Sequence, residues 1–587
     1  MEHIYTHGYS PYTNQNEDYP KSLWRRSLFF RPLPQGRRVL VVLIQCMFLF
    51  VVEGVNNILF QTLLIKHFDE RHVRSIHSFF SFSSFSLLLC LPMGFVADRY
   101  FERAKVLYCS WILLFIAQLM FGTYFVIFSF VTHEESEFIA GVFVFTIGVL
   151  IYSLSIAGIR VNLISFGADQ MESVSSEQFS SYFHWYYWCR SVGLLIAYSL
   201  GAYLVSAHGG IALLLSFIAA MAGTVINFIA YKWFIKTTKR TNPLLLIYRV
   251  IKYAATKKKP AERSAFSYDD RPEPSRIDLA KKTHCGIFND EKVEDVKTFL
   301  RILVMIFSLI GFLCVYSLLR GVYLHNSEYL EHPRSFVSNE LNCSYYTNTS
   351  INCSLAINCS LAELNIHQFH DYYPSYWIYL INIGATLLML PILDRLVYPL
   401  LCPWIPSMFN RIRAGMIFSL ISVICAIIVE VIRYITLYSQ DSVIQVNVFH
   451  YEQMVSVPIP VGVMTPQFFF QAVAECLAIP SVLEFIYAQS PSYMKGLLLG
   501  CYFFVYGLAI TLGSLLFLSQ LDGTQVYWEY LRDLSNPCEA NPDASGSCVS
   551  AYTIITIVTI LGSILFCYAA KHYKPRTRGN ALRYFMQ

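Results

Sequence analysis

About twelve apolar stretches, each about 20 residues long, divide this sequence, and a helix needs that length to cross roughly 30 Å of hydrocarbon. They begin near Leu40, Ser75, Val106, Phe138, Phe179, Ile211, Phe299, Tyr373, Arg413, Val461, Gly496 and Tyr552. Composition agrees, since 55% of the 587 residues are hydrophobic and 14% charged, well outside the range of a soluble globular domain. The expected fold class is all-α, a polytopic membrane bundle. Residues 1–38 are expected to form a cytosolic N-terminal tail, because residues 1–36 are polar and aromatic and lack the short apolar core and small-residue cleavage site of a signal peptide.

Orientation follows from the basic connections. Lys236, Lys239, Arg240, Arg249 and Lys257 to Lys259 crowd the segment after the sixth stretch, and the tail 571–587 is also basic, so both are expected on the cytosolic side. Glycosylation acceptors give the same topology from different physics. Asn342, Asn348, Asn352 and Asn358 each open an Asn-x-Ser/Thr triplet within the loop of about 326–371, which is then lumenal or extracellular. Cysteines Cys343, Cys353 and Cys359 lie in the same loop, and Cys538 and Cys548 in "PCEANPDASGSC" are expected on the same side, where an oxidising compartment permits bridges. A Cys538 to Cys548 disulfide is expected; the other three form an odd set with no assignable pairing.

These boundaries give two six-helix bundles, 39–234 and 298–570, joined by a basic cytosolic linker, 235–297. That is the plan of major facilitator carriers, which hold substrate near the midplane between their halves. Within the linker, "NPLLLIYRVIKYAATKKK" has the spacing of an interfacial amphipathic helix, and a plain solvated linker is the other reading. No Walker-type phosphate loop, metal-spaced Cys/His cluster or nucleophile elbow occurs, so neither an enzyme nor a metal centre is expected. The net charge of +5 reports topology and lipid headgroups rather than nucleic acid.

Five stretches carry a resemblance. "GFVADRYFERAK", with Asp98, Arg99 and Arg103, is similar to the cytosolic gate loop of the major facilitator superfamily, where these residues would clamp helix ends. "AGIRVNLISFGADQ", "FHWYYWCRSVG", "LPILDRLVYPLL" and "AECLAIPSVLEFIYAQSPSYMKG", in this order, resemble the proton-coupled oligopeptide transporter family, solute carrier family 15, most closely its peptide/histidine subgroup.

The resemblance implies a site for small zwitterions. A charge in hydrocarbon costs at least about 2.5 kcal/mol, so one that persists usually faces a wet cavity or an internal partner. Arg160 would hold a substrate carboxylate; a structural ion pair is the alternative. Glu475 and Asn382 would hold the ammonium, with Ser191 and Gln61 also lining the site. Glu53 and Glu475 would handle the coupling proton, which is the only cofactor expected. Asn162 and Asp169 are assigned to helix capping and the gate, and Glu484, about 180° around an ideal helix from Glu475, to packing or gating.

The first helix departs from the family's Glu-x-x-Glu-Arg pattern. It keeps Glu53 but has Phe50 for the first glutamate, Gly54 for the arginine, and Asn57 and Ile58 for the tyrosines. Arg190 and Arg320 are candidate compensating cations, each with a structural alternative. His77 stands near the position of a family histidine, which aligns with Phe80. The aromatics Tyr182, Trp185, Tyr186 and Trp188 line the cavity or pack against helices.

The resulting expectation is a secondary active transporter of di- or tripeptides or histidine, working by proton symport and alternating access in an endolysosomal or plasma membrane. Its rivals are a nutrient sensor or scaffold on a carrier fold and a proton-independent facilitator. The expected partners are a small-molecule substrate and the bilayer; no signalling or adaptor partner is legible.

Overall fold

The computed structural model describes residues 36–67, 82–130, 135–171, 176–207, 209–235, 242–257, 275–319, 323, 330–331, 375–398, 407–438, 445–449, 452–532 and 547–573. Among the described residues, ten helices are long and apolar enough to cross a membrane, or eleven if the pair Asp290–Ser308 and Ile310–Leu318, bent by 40°, counts as one span. Twelve were expected, and the difference lies in the second stretch, which begins near Ser75 outside the described residues.

The first group contains α1 (Arg37–His67), α2 (Phe82–Leu88), α3 (Cys90–Arg99), α4 (Arg103–Phe130), α5 (Glu135–Asp169), α6 (Ser176–Ile196), α7 (Ala202–Ala207) and α8 (Gly209–Ala230). The linker helix is α9 (Pro243–Thr256). The second group contains α10 (Asp290–Ser308), α11 (Ile310–Leu318), α12 (Ser375–Ile392), α13 (Met408–Tyr438), α14 (Thr465–Gln489), α15 (Lys495–Arg532) and α16 (Ser547–His572). Within the groups, α4 packs on α5, α1 on α6 and α8, and α13 on α14 and α16. Between the groups, α15 packs on α2 and α3, and α6 packs on α12 and α14. Apolar side chains such as Phe228 and Leu388, 65% and 69% exposed, point away from the bundle, as a lipid-facing surface requires.

Helices in lipid approach closely where residues are small, because packing rather than water expulsion drives their association. At the crossing of α3 and α15, a methyl group on Gly496 would lie 2.8 Å from the Gly94 carbonyl oxygen and 2.9 Å from Asp98 Oδ1. Pro480 does not end α14, which runs unbroken to Gln489, so Glu475 and Glu484 reach different levels of the bundle. A π-helical stretch, Leu393–Val397, follows α12 just after Pro391 and carries Asp394 into the interface.

A small sheet qualifies the all-α expectation. β1 (Leu330–Glu331) pairs parallel with β3 (Glu452–Pro460), which pairs antiparallel with β2 (Gln445–Phe449). Val446 pairs with Val455 and Val448 with Gln453 across this ladder, and strands of this kind have a period of two, which a search for long apolar runs passes over.

The linker folds back on the second group. Asn242 caps α9 by accepting from the Leu245 N–H at 3.2 Å, with Pro243 at the first helical position. Val250 buries against Ala280, Val293 and Val296. Lys257 then donates to the carbonyls of Leu279, His284 and Cys285 at 3.2, 3.0 and 2.6 Å. The opposite face of α9 leaves Leu244, Tyr248 and Ile251 exposed, so the segment is a helix with two apolar faces rather than a plain linker.

Candidate functional site

Four ionisable side chains meet deep in the bundle. Arg160 of α5 is paired with Glu53 of α1, and both are at least 95% buried. Arg190 of α6 donates to the Tyr316 hydroxyl of α11 at 2.5 Å. Both guanidiniums lie against the Phe50 ring, at 5.6 Å for Arg160 and 5.2 Å for Arg190. Phe50, which stands where the resembled family has a glutamate, thus gives two arginines a shared apolar face on which a cation is still stabilised by the ring quadrupole.

Glu475 of α14 completes the set. Its carboxylate accepts from the Tyr187 hydroxyl at 2.7 Å and from Asn382 Nδ2 at 3.3 Å, and only 1% of the residue is exposed. Tyr187 also stacks under Arg190, 4.6 Å from ring centroid to guanidinium, and its hydroxyl lies 3.3 Å from that of Tyr316. A chain of polar contacts therefore links the cationic side of the first group to the anionic side of the second. Two arginines and two glutamates balance, so the cluster carries no formal net charge.

The altered first helix has a packing cause. A Cβ at Gly54 would collide with Ala197 Cβ at 2.5 Å, so a larger side chain such as the family's arginine does not fit at this crossing. Ser191 is buried but turns back to the Tyr187 carbonyl at 3.1 Å. Asn162, expected as a cap or gate residue, sits in the middle of α5 and donates to the Gly158 carbonyl at 2.9 Å; it caps nothing because the helix continues to Asp169. Tyr182 donates to the Ile164 carbonyl at 3.1 Å, and Trp188 Nε1 to that of Leu387 at 3.2 Å, so both are packing residues with satisfied polar ends.

The second assembly closes the end of the bundle nearest the linker. Asp98 accepts from the Leu497 N–H at 2.8 Å, at the start of α15, and from Arg103 at 2.9 Å. An acid at a helix N-terminus meets both a free donor and the positive end of the helix dipole. Arg103 also pairs with Asp169, which accepts from the Tyr487 hydroxyl at 2.5 Å and from Lys495 at 3.2 Å. Asp169 thereby ties the first group to α14 and α15. Arg99 stands apart from this clamp, its guanidinium 5.5 Å from the Tyr100 ring. Glu484 accepts from Ser180 at 2.8 Å at the same end, in keeping with a gating position.

Other expected residues lie outside the described residues: Arg320, His77, Phe80, Asn342, Asn348, Asn352, Asn358, Cys343, Cys353, Cys359 and Cys538. Gln61 and Cys548 fall in α1 and α16, but their side chains are outside the description. Conversely, the sequence reading passed over Tyr187, Tyr316, Tyr487 and Lys495. Only Tyr187 had a legible signal, being three residues before Arg190 on one helical face.

Comparisons with known proteins bear on the family and the fold. Residues 104–333 and 365–526 match the profile of the POT family. Solute carrier family 15 member 3 of Mus musculus is 24% identical over 435 residues, covering 73% of this chain and 69% of that protein. Among solved structures, an auto-inhibited POT family peptide transporter superposes with a TM-score of 0.60 at 16% identity, over 94% of this chain and 100% of its own. The POT family transporter PepTSo superposes with a TM-score of 0.60 at 16% identity, over 92% of this chain and 98% of its own. With a family match across most of its length and a bundle built on the same plan, the chain belongs to the POT family, whose members are membrane transporters and not enzymes.

Proposed function

We propose that this protein is a proton-coupled carrier of small zwitterions, di- or tripeptides or histidine-like amino acids, that works by alternating access. One observation carries the reading: Arg160 and Arg190 lie together on Phe50, across from a Glu475 held by Tyr187 and Asn382. A zwitterion presents a carboxylate and an ammonium, and a buried site for it needs a cation and an acid at opposite ends. Glu475 receives the ammonium as Tyr187 swings away, and Arg190, with Arg160 behind it, receives the carboxylate. Because the cluster is already charge-balanced, a neutral zwitterion enters without leaving a net charge in the membrane.

Coupling follows from the same residues. As the substrate carboxylate draws Arg160 away, the buried Glu53 takes a proton from the acidic outer compartment and gives it up when the linker end opens, while Glu475 stays ionised beneath the ammonium, so that proton and zwitterion are carried together. Each proton carried adds about 2.3 kcal/mol per 100 mV of membrane potential to the drive. The linker end faces the cytosol, with both termini on that side.

The test is uptake of labelled histidine and a labelled dipeptide into proteoliposomes, with and without an acid-outside gradient. Gradient-stimulated uptake that Glu475→Gln loses supports the reading. Uptake indifferent to pH sinks the proton coupling and leaves a facilitator; no uptake of either substrate by folded protein sinks the carrier assignment in favour of a sensor.

A further inference from the structure

The linker helix has a face that neither the fold nor the site above uses. α9 commits one side to protein: Pro243, Val250 and Ala254 are buried, the helix packs on Arg276–Ala280 and on α10, and it also meets α3 of the first group. Successive residues turn by about 100°, which puts Leu244, Tyr248, Ile251 and Ala255 together in an arc of about 60° beside that packed side. All four are exposed. Lys252 and Arg249, with Leu245 and Thr256 among them, are exposed along the next arc, and the Lys252 ammonium lies 5.7 Å from the Tyr248 ring centroid. A stripe of three large apolar side chains beside a row of cations is the pattern of a helix lying in a membrane surface.

Charge and level say what covers this face. From Lys232 to Ala261 the chain has no Asp or Glu, so α9 carries only positive charge. On its packed side, Asp278 and Glu294 are each paired with both Lys281 and Lys297. Among the described residues no acid pairs with Arg249 or Lys252, so both cations are open to an outside anion. The level comes from aromatic side chains. Trp233, just past α8, and Tyr100, just past α3, are exposed at this end of the bundle, where such rings mark a membrane boundary. Because α9 meets α3 and begins ten residues after Trp233, it lies beside that boundary.

We propose that α9 is a docking surface for acidic phospholipid in the leaflet at the linker end, the cytosolic one in the orientation proposed above. Leu244, Tyr248 and Ile251 enter the boundary between headgroups and acyl chains, and Arg249 and Lys252 bind the phosphates and carboxylates of anionic headgroups. The stripe supplies depth and the cations supply preference, since each basic side chain near a negative surface is worth about a fivefold gain in binding. The Asn242 cap and Pro243 start the helix, and burial of Val250 fixes its rotation, so the stripe is preformed rather than ordered by contact with lipid. Nothing in this inference depends on the substrate or the coupling proton, and its test reads lipid contact rather than uptake.

The experiment uses full-length protein, its accessible cysteines replaced, in nanodiscs of phosphatidylcholine with about a third phosphatidylserine. Single spin labels at Tyr248, Ile251 and Thr256, all exposed positions, are compared for collision with oxygen, which concentrates in lipid, and with a water-soluble nickel chelate. The Tyr248 and Ile251 labels are expected to meet oxygen more and nickel less than the Thr256 label. Energy transfer from a dye at Thr256 to a trace of tail-labelled phosphatidylserine, set against tail-labelled phosphatidylcholine, then reads preference. It is expected to favour the serine lipid severalfold, and to lose most of that preference in Arg249→Gln/Lys252→Gln, two exposed changes that leave the packed side intact. Stripe labels as open to nickel as Thr256 overturn the proposal and leave the face to a soluble partner. A preference absent in the parent, or unchanged in the double variant, overturns the acidic-lipid assignment.

Discussion

Asp169→Asn isolates the cost of keeping the linker end shut. Asp169 belongs to the first group, and two of its donors, Tyr487 and Lys495, come from the second. Its third partner, Arg103, is in its own group and keeps Asp98, so that contact is present whether the end is open or shut and largely cancels. A hydrogen bond to a charged group is worth about 1.5–3 kcal/mol and a neutral one about 0.5–1.5, so the Tyr487 contact loses about 1 kcal/mol. Lys495 is 19% exposed at its side chain, and water screening limits its share to about 0.5–1 kcal/mol. The closed state thus loses about 2 kcal/mol, roughly a thirtyfold fall in the closed-to-open ratio. Spin labels at Phe101 and Ser407, exposed positions of the two groups at the linker end, are read as interspin distances at a fixed pH of 7.5 and are expected to show the long-distance population growing accordingly. Lys105→Ala, which removes only an exposed 3.9 Å pair with Glu102, is the control and is expected to leave the distribution unchanged. A distribution for Asp169→Asn indistinguishable from that control would refute the assignment of Asp169 as the tie between groups.

Two further outcomes follow from the packing and the linker. Gly496→Val places methyl groups against the Gly94 carbonyl and Asp98, so α3 and α15 must part; the same labels are expected to report a loss of the closed state in protein that still elutes as a monodisperse species. In the linker, burial alone would raise the Asp278 carboxyl, but hydrogen bonds from Lys281, Ser275 and Lys297 hold it well below the usual carboxylate range. Its folded value lies below the unfolded one near about 3.9, so its stabilising share is complete above that pH and fades as pH falls through the folded value. Amide protection over residues 275–285 is expected to drop in acid in the parent, whereas Asp278→Asn starts lower at pH 7 and lacks the acid step.

Local chemistry made much of this protein legible before any fold was known. Long apolar runs specify lipid-crossing helices because backbone groups in hydrocarbon must bond within their own segment. Charge inside such a run marked Arg160, because lipid makes unpaired charge costly wherever it falls, and the resemblance to the transporter family singled out Glu53, Arg190 and Glu475. Partnership was not legible. Arg160 meets Glu53 across 107 positions of sequence, Tyr187 meets Glu475 across 288 and Lys495 meets Asp169 across 326. Such pairings depend on which helix faces pack together, and nothing within one stretch encodes that. The same holds for Gly54, which in the sequence is only a departure from the family's arginine and in three dimensions is the place where α1 passes Ala197. Sequence determined the solvent this chain lives in and the charges it keeps there; the packing of the two helix groups decided which charge neutralises which, and so where a zwitterion or a proton can bind.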